Sequence, residues 1–363
     1  MKTMFLCLFL TLSLPADSLR VLFWNLENYF DWRNDSTSVA DAEFSSQGAR
    51  RWTRKRFYAK TNAIAKAILW ASSSSANASG SDNFPESHHL PSVNGMPDII
   101  GLAEVENAFV LRRLLDATAL RKLDYRVVHF DSPDPRGIDV ALLYRSSRLE
   151  LLDARPCHLY AADSTVLATR DILLCEFKKK TSGTFAVLVN HHPSKYGGTS
   201  ESEPRRRIAV ERLRFLADSL MAVGIDRIIA CGDFNDTPDN PVFRLLEPAL
   251  LPLHIDLFRR GEGTIKYDGK WDLIDHFYAS PAWDAPWSPT VSQDSAGHPS
   301  FSPIMEGSPG DPGLSMRILR IPFLLTRDTS HSGERPLRTY LGPRYTGGVS
   351  DHLPVLLEIE LPP

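Results

Sequence analysis

The sequence predicts an α/β fold in which two sheets pack face to face and helices cover the outside. Strand-like runs outnumber helical patterns roughly two to one, too many for one doubly wound sheet. Several of those runs are apolar over five or more consecutive residues, as expected of strands covered on both faces. No internal repeat and no composition shift calls for a second domain, so residues 19–363 read as one unit.

The elements follow in order. Residues 1–18, "MKTMFLCLFLTLSLPADS", have a basic Lys2, an apolar run from Met4 to Leu14 and a Pro15-Ala16 break. That is the pattern of a secretory signal peptide, too short in its apolar part to span a bilayer. Export to a periplasmic or extracellular location, without stable membrane association, is the expectation. A first strand, "LRVLFWNLE", begins at Leu19. Residues 53–70 place Phe57, Ile64, Ile68 and Leu69 on one helical face, with Thr53 as N-cap and basic residues elsewhere. The Ser/Asn-rich stretch 71–95 reads as a loop insertion. Strands are then expected at "PDIIGLAEV", "YRVVHF", "IDVALLYR", "DILLCEFKK" and "TFAVLVNHHP". A helix over 203–224 follows, with Pro204 near its first turn, Gly224 at its end, and Ile208, Leu213, Leu216 and Leu220 as its apolar stripe. "DRIIACGD" is a buried strand, after which Asn240 and Pro241 start a short helix. "LIDHFYAS" and the terminal "LPVLLEIEL" are strands, and the Pro/Ser/Gly-rich stretch 281–346 between them reads as a second insertion.

Composition narrows the function classes. With 43% hydrophobic and 23% charged residues, the chain is globular rather than disordered. A formal charge of −3 gives no global basic field, so a polyanionic substrate needs local cations or a metal. Beyond the leader, Cys157, Cys175 and Cys231 match neither a zinc site nor a disulfide framework and are expected as buried thiols. No GxSxG elbow, HExxH helix, Walker loop or GxGxxG turn is present.

The chemistry gathers where strands end. "VLFWNLEN" delivers Asn25 and Glu27, "IIGLAEVEN" delivers Glu104, and "FAVLVNHHPSK" ends in His191 and His192. "IIACGDFND" carries Asp233 and Asn235, "WDLIDHFYAS" carries Asp275, and "GGVSDHLPV" carries Asp351 and His352. Taken singly, Asn25 and Glu27 fit an edge strand, and His276 fits a satisfied surface histidine. Glu104 is harder to set aside, because a buried unpaired carboxylate costs several kcal/mol. Together these residues supply carboxylates, amides and imidazoles, with almost no Ser or Cys nucleophile candidate. Hard divalent cations take oxygen ligands, and the remaining Asp and His can activate water and protonate a leaving oxygen. That set describes metal-assisted hydrolysis of a phosphate ester.

The ordered set "FWNLEN", "LAEVEN", "RGIDVALLYR", "VNHHPSK", "CGDFND", "LIDHFYAS" and "SDHLPV" resembles the endonuclease/exonuclease/phosphatase superfamily, from about Leu19 to Leu361. The resemblance implies a deoxyribonuclease I-like fold, a four-layer α/β/β/α sandwich of two mainly antiparallel sheets. It implies Glu104 as the principal ligand of a divalent cation, Mg²⁺ first with Mn²⁺ or Ca²⁺ as alternatives. Asn25 and Asp351 would lie close to the same ion, with Glu27 where many relatives carry Asp. Asp233 would orient or deprotonate the attacking water, and Asn235 would donate to a phosphate oxygen. Asp275 would fix the tautomer of His352 while the imidazole contacts phosphate, and His191 would assist the leaving group. Arg136 and Lys195 are candidate phosphate contacts.

The resemblance leaves the substrate open. "RGIDVALLYR" and "NHHPSK" are most similar to secreted bacterial nuclease-type members, which favours nucleic acid as the substrate of a monomeric enzyme. A phosphomonoesterase or a lipid (sphingomyelin-like) phosphodiesterase would use the same residues with a different pocket. A non-catalytic binding module would be expected to lose at least one of Glu104, Asp233, Asn235, Asp275 and His352, and all five are present.

Overall fold

In the computed structural model the described residues are 17–35, 38–72, 95–180, 183–194, 199–283, 292–293, 299–300 and 313–361. They build two six-stranded sheets. The first contains β1 (Ser18–Tyr29), β2 (Ile99–Val105), β3 (Tyr125–His129), β4 (Asp139–Arg145), and two late strands described below. The second contains β5 (Glu150–Cys157), β6 (Ile172–Lys179), β7 (Gly183–His191), β8 (Ile228–Asp233), β9 (Leu251–Pro252) and β10 (Asp275–Ala279). The late strands of the first sheet are β11 (Leu314–Ile318) and β12 (Val355–Glu360). The orders are β11-β12-β1-β2-β4-β3 and β5-β6-β7-β8-β10-β9.

Each sheet is antiparallel except at its centre, where β1 pairs in parallel with β2 and β7 with β8. A parallel pair needs a crossover, and a long helix supplies each one. α1 (Arg54–Ala71) links β1 to β2, and α3 (Thr199–Ala222) links β7 to β8, while α2 (Ala108–Asp116) follows β2. The two sheets are thus built alike around a central βαβ unit.

The period-two alternation of the second sheet divides its side chains between two cores. Leu173, Cys175, Val187, Val189, Ile229 and Cys231 join the core that includes the first sheet. Leu174, Ala186, Leu188, Ile228 and Ala230 face the other way, against Ala209, Val210, Leu213 and Leu220 of α3. At the sheet–sheet contact, a Cβ on Gly101 would stand 3.3 Å from Cys231 Sγ and 3.4 Å from Val189 Cγ1, so glycine sets how closely the sheets approach. Cys157, Cys175 and Cys231 are free buried thiols, as expected.

Several local expectations hold. Thr53 caps α1 by accepting from the Arg56 amide, and Asn240 caps a short 3₁₀ helix, Pro241–Leu246, that starts on proline. α3 begins earlier than its sequence pattern suggests, which leaves Pro204 inside the helix. Residues 1–16 of the leader and 73–94 of the first insertion lie outside the described residues. Of the segment 281–346, residues 313–346 are described in full. They contribute the edge strand β11 and two hairpins, Leu325–Arg327 with Glu334–Pro336 and Tyr340–Leu341 with Arg344–Tyr345. Among the described residues no helix is long and apolar enough to cross a membrane.

Candidate active site

The central strands of both sheets end at one place, and their ends are bent. Residues Glu27 (φ +48°), Asn28 (φ +56°), Glu104 (φ +59°) and Asn235 (φ +51°) all adopt the left-handed region without being glycine. The β1–β2 register shifts between Asn25 and Tyr29, and the β2–β4 register between Ala103 and Val105. Such bulges re-aim side chains, and each left-handed non-glycine costs on the order of 1–3 kcal/mol, held by its surroundings. Here the surroundings are hydrogen bonds among the same residues. Asn25 Oδ1 accepts from the Glu27 amide at 2.9 Å, and Glu104 Oε2 accepts from the Asn28 amide at 2.8 Å. Asn235 is fixed likewise: its amide donates to Asp233 Oδ1 at 2.8 Å and its Nδ2 to the His192 carbonyl at 2.9 Å. Asn235 reaches the site through this turn, since β8 ends at Asp233 and strand alternation does not extend to it.

Asp233 is the hub. Its Oδ2 accepts from Asn25 Nδ2 at 3.0 Å and lies 3.6 Å from His191 Nε2 and 3.8 Å from His352 Nε2. Asn25 Nδ2 also reaches Glu104 Oε1 at 3.3 Å, so one amide bridges the two carboxylates. Asp275 lies opposite Asp233 in the β8–β10 ladder and contacts His352 Nδ1 through Oδ2 at 2.8 Å. His352 is in turn tied to β1, because Ser350 Oγ donates to the Asn25 carbonyl and accepts from the His352 amide. Asp233, Asp275 and His352 are all buried. Gly232, next to the hub, has no room for a side chain: a Cβ there would fall 2.3 Å from the Asn190 carbonyl oxygen.

The environments push these groups apart in acidity. Burial opposes charge on His352, yet the Asp275 and Asp233 carboxylates outweigh it and hold its pKa well above the usual histidine value. Burial raises the Asp233 carboxyl, with the His352 cation acting against the rise. Burial, together with the Arg170 and Arg136 guanidinium groups, drives His191 well below its usual value. A charged imidazole and a neutral one therefore flank one carboxylate, the separation that acid–base chemistry needs.

A second layer closes the opposite side. Glu27 is held by Arg338 Nε at 3.1 Å and by the Thr339 amide at 2.6 Å, and Arg338 also binds Asp351 Oδ2 at 2.7 Å. Lys60 of α1 is fully buried and donates to the Glu27 carbonyl and to Thr339 Oγ1. Burial raises the Glu27 carboxyl and lowers the Lys60 ammonium, each offset in part by the other's charge.

Asn25, Glu104, His191, Asp233, Asn235, Asp275, Asp351 and His352 are thus brought to one end of the two sheets. Glu27 is close by, with Arg338 and Thr339 on its two oxygens. Arg136 folds back on Asp134 through its amide, Nε and a terminal guanidinium nitrogen. Lys195 lies outside the described residues. His276 corrects the surface expectation: it is buried, bonded to the Leu273 carbonyl, and stacked on His254 with ring centroids 4.1 Å apart. His192 packs on Phe234 away from the hub. Sequence reasoning missed Lys60, Arg170, Arg338 and Thr339. Lys60 had a signal, since it falls on the Phe57–Ile64 stripe of α1; Arg338 and Thr339 had none, lying in a stretch whose composition reads only as loop.

Eight polar residues from both sheets, carboxylates prominent among them, thus meet at one place. The family model described as "Endonuclease/Exonuclease/phosphatase family" matches residues 20–283. The chain belongs to that family. Its members are hydrolases of phosphate esters and generally use a divalent metal. The human Nocturnin catalytic domain with bound sulfate is similar at 18% identity, with a TM-score of 0.53 over 95% of both chains. A family protein from Bacteroides thetaiotaomicron is similar at 15% identity and a TM-score of 0.51, over 96% of this chain and 99% of that one. Humanized D. rerio TDP2 matches at 13% identity and a TM-score of 0.50, over 94% and 98%. At these identities the likeness establishes the shared two-sheet fold. No curated protein matches the sequence.

Proposed function

We propose that the protein is an exported, metal-dependent nuclease that hydrolyses nucleic acid phosphodiesters by in-line attack of water. The donor set fits a hard divalent cation: Glu104 and Asp351 offer carboxylate oxygens beside Asn25, and Arg338 is the cation bonded there. Bound at those carboxylates, Mg²⁺ would supply Lewis-acid stabilisation of negative charge on the phosphate. Asn25 and Glu27 stand beside the same ion in this reading, Asn25 Oδ1 holding the Glu27 amide and Glu27 bonded to Arg338 and Thr339. Asp233 takes the proton of the attacking water, and the Asp275-backed His352 cation binds the phosphate. Asn235 keeps one amide hydrogen for a phosphate oxygen, and neutral His191 stands on the other side of Asp233 toward the leaving group.

The observation that favours nucleic acid is the rim. The chain that carries Arg338 runs on into the hairpin of Tyr340 and Tyr345, where Arg50 lies 5.2 Å from the Tyr340 ring and Arg56 4.2 Å from the Tyr345 ring. On the adjoining chain after β1, Arg33 stacks 4.2 Å over Phe109, and Arg54 lies 5.6 Å from Trp32 and Tyr58. Arg51, Arg54 and Lys55 are exposed. Guanidinium groups held on aromatic faces suit a phosphate backbone with bases to stack. Purified protein with Mg²⁺ should cut plasmid DNA or RNA and leave sphingomyelin and simple phosphomonoesters largely intact. Cleavage of sphingomyelin or of a phosphomonoester alone would overturn the nuclease reading in favour of a lipid phosphodiesterase or a phosphomonoesterase.

A further inference from the structure

A second group of carboxylates lies outside the catalytic cluster. One carboxylate oxygen from each of Asp35, Asp41 and Glu106 falls within 4.8 Å of the others. Asp35 follows β1, Asp41 is in the short helix Val39–Glu43 that Ser38 caps, and Glu106 follows β2. Asp41 and Glu106 are buried, and so is the neighbouring Asp31. Glu106 spends Oε2 on the Asp31 amide at 2.7 Å. Its other oxygen, Oε1, is buried with no N–H or hydroxyl donor among the described residues, and burial, with the adjacent Asp31 and Asp41 carboxyls, pushes the Glu106 carboxyl up to about 8. Arg33 is the nearby cation, but it is half exposed and contacts Asp31 and Asp35 only at 3.7 and 3.9 Å.

Like charges at this spacing repel, and a buried carboxylate oxygen without a donor costs on the order of 1–3 kcal/mol or more. A bound cation removes both penalties at once. We propose that Asp35, Asp41 and Glu106 form a second divalent-cation site, separate from the catalytic carboxylates, which takes Ca²⁺. The donors are all hard oxygens, and they come from a loop, a short helix and a strand end, an irregular set that Ca²⁺ accepts more readily than Mg²⁺ does. Such an ion would cross-link the chain after β1 to the end of β2. The chain it pins carries Trp32 and Arg33, next to the β2 end from which Glu104 enters the catalytic cluster. The site is structural, and it stands whether or not the substrate is nucleic acid.

The test is calcium titration of the full chain by calorimetry, with thermal melting in parallel. A Glu104→Gln background weakens the catalytic cation site. In that background one saturable Ca²⁺ isotherm and a calcium-dependent rise in melting temperature should persist. Adding Asp35→Asn should weaken calcium affinity at least about tenfold, the loss expected for one carboxylate ligand. Adding Glu106→Gln should abolish the calcium-dependent rise, and above pH 8, where Glu106 is charged, it should increase melting temperature in chelator because repulsion is relieved. Asp35 is more than half exposed, so its variant is informative even if Glu106→Gln fails to fold. Absence of saturable calcium binding up to about 10 mM, beyond the range of weak extracellular calcium modules, would overturn the proposal. So would an isotherm that both substitutions leave unchanged.

Discussion

Replacing Asp275 by Asn keeps the size of the side chain and removes its charge. In the folded protein Asp275 Oδ2 lies 2.8 Å from His352 Nδ1, with both groups buried. The charge on His352 persists against burial because of this carboxylate first and Asp233 second. Breaking a buried pair costs about 3–5 kcal/mol, and about 1.4 kcal/mol corresponds to one pKa unit. The His352 pKa should therefore fall by roughly two units or more. The sign follows from the raised value. His352 contributes stability that is fully present below its unfolded pKa and lost as pH rises through the folded one. The substitution removes that contribution, so the pH at which activity declines on the alkaline side should move acidward. At neutral pH, hydrolysis should drop by about 10²–10⁴-fold, the range for a positioned acid–base group. Imidazole NMR titration, a pH–rate profile and a melting curve together decide the matter. A folded variant with unchanged His352 titration and near-normal activity would refute the reasoning.

Three further outcomes are expected. Lys60→Ala should destabilise the fold by about 2–4 kcal/mol in denaturant unfolding, because two buried acceptors lose their donor and a cavity opens; a change below 0.5 kcal/mol, within the usual range of surface substitutions, would show that the Lys60 tie is unimportant. Gly232→Ala should cost at least about 2 kcal/mol, since the new Cβ meets backbone that cannot give way, and a melting temperature equal to wild type would contradict this. Burial lowers the His254 pKa to about 4, so its neutral form contributes stability above pH 6.5 that is lost as pH falls toward 4. His254→Phe should therefore gain on wild type by about 1.4 kcal/mol per pH unit across that window, measured by urea unfolding, and a pH-independent difference would count against it.

The fold was legible where side-chain period carries the information. The apolar runs at β1, β2, β7, β8 and β12 mark the central strands, and each is buried in the sheets. The strand-end residues were legible too, because Asp233, Asp275 and His352 interrupt or terminate apolar runs that a core alone would continue. What the sequence hid is non-local. Arg338 and Thr339 reach Glu27 from more than 300 residues away, within a stretch whose composition suggests only loop. The left-handed turns at Glu104 and Asn235 depend on hydrogen bonds to the neighbouring strand of the same sheet, from the Asn28 amide and to the His192 carbonyl, which no local pattern announces. Lys60 lies between these cases: its place on the apolar face was readable, but a lysine there makes sense only with the Glu27 carbonyl and Thr339 Oγ1 beside it.

The central claim is that Asp233, placed between a charged and a neutral histidine, takes the proton from water during phosphodiester hydrolysis. The most direct measurement is the single-turnover cleavage rate of a labelled oligonucleotide in Mg²⁺, for wild type and Asp233→Asn, with folding of both checked by melting. The wild type should cleave in Mg²⁺ and stop when the metal is chelated, and the folded variant should lose at least about 10²-fold in rate. A folded Asp233→Asn protein that cleaves at the wild-type rate would contradict the account.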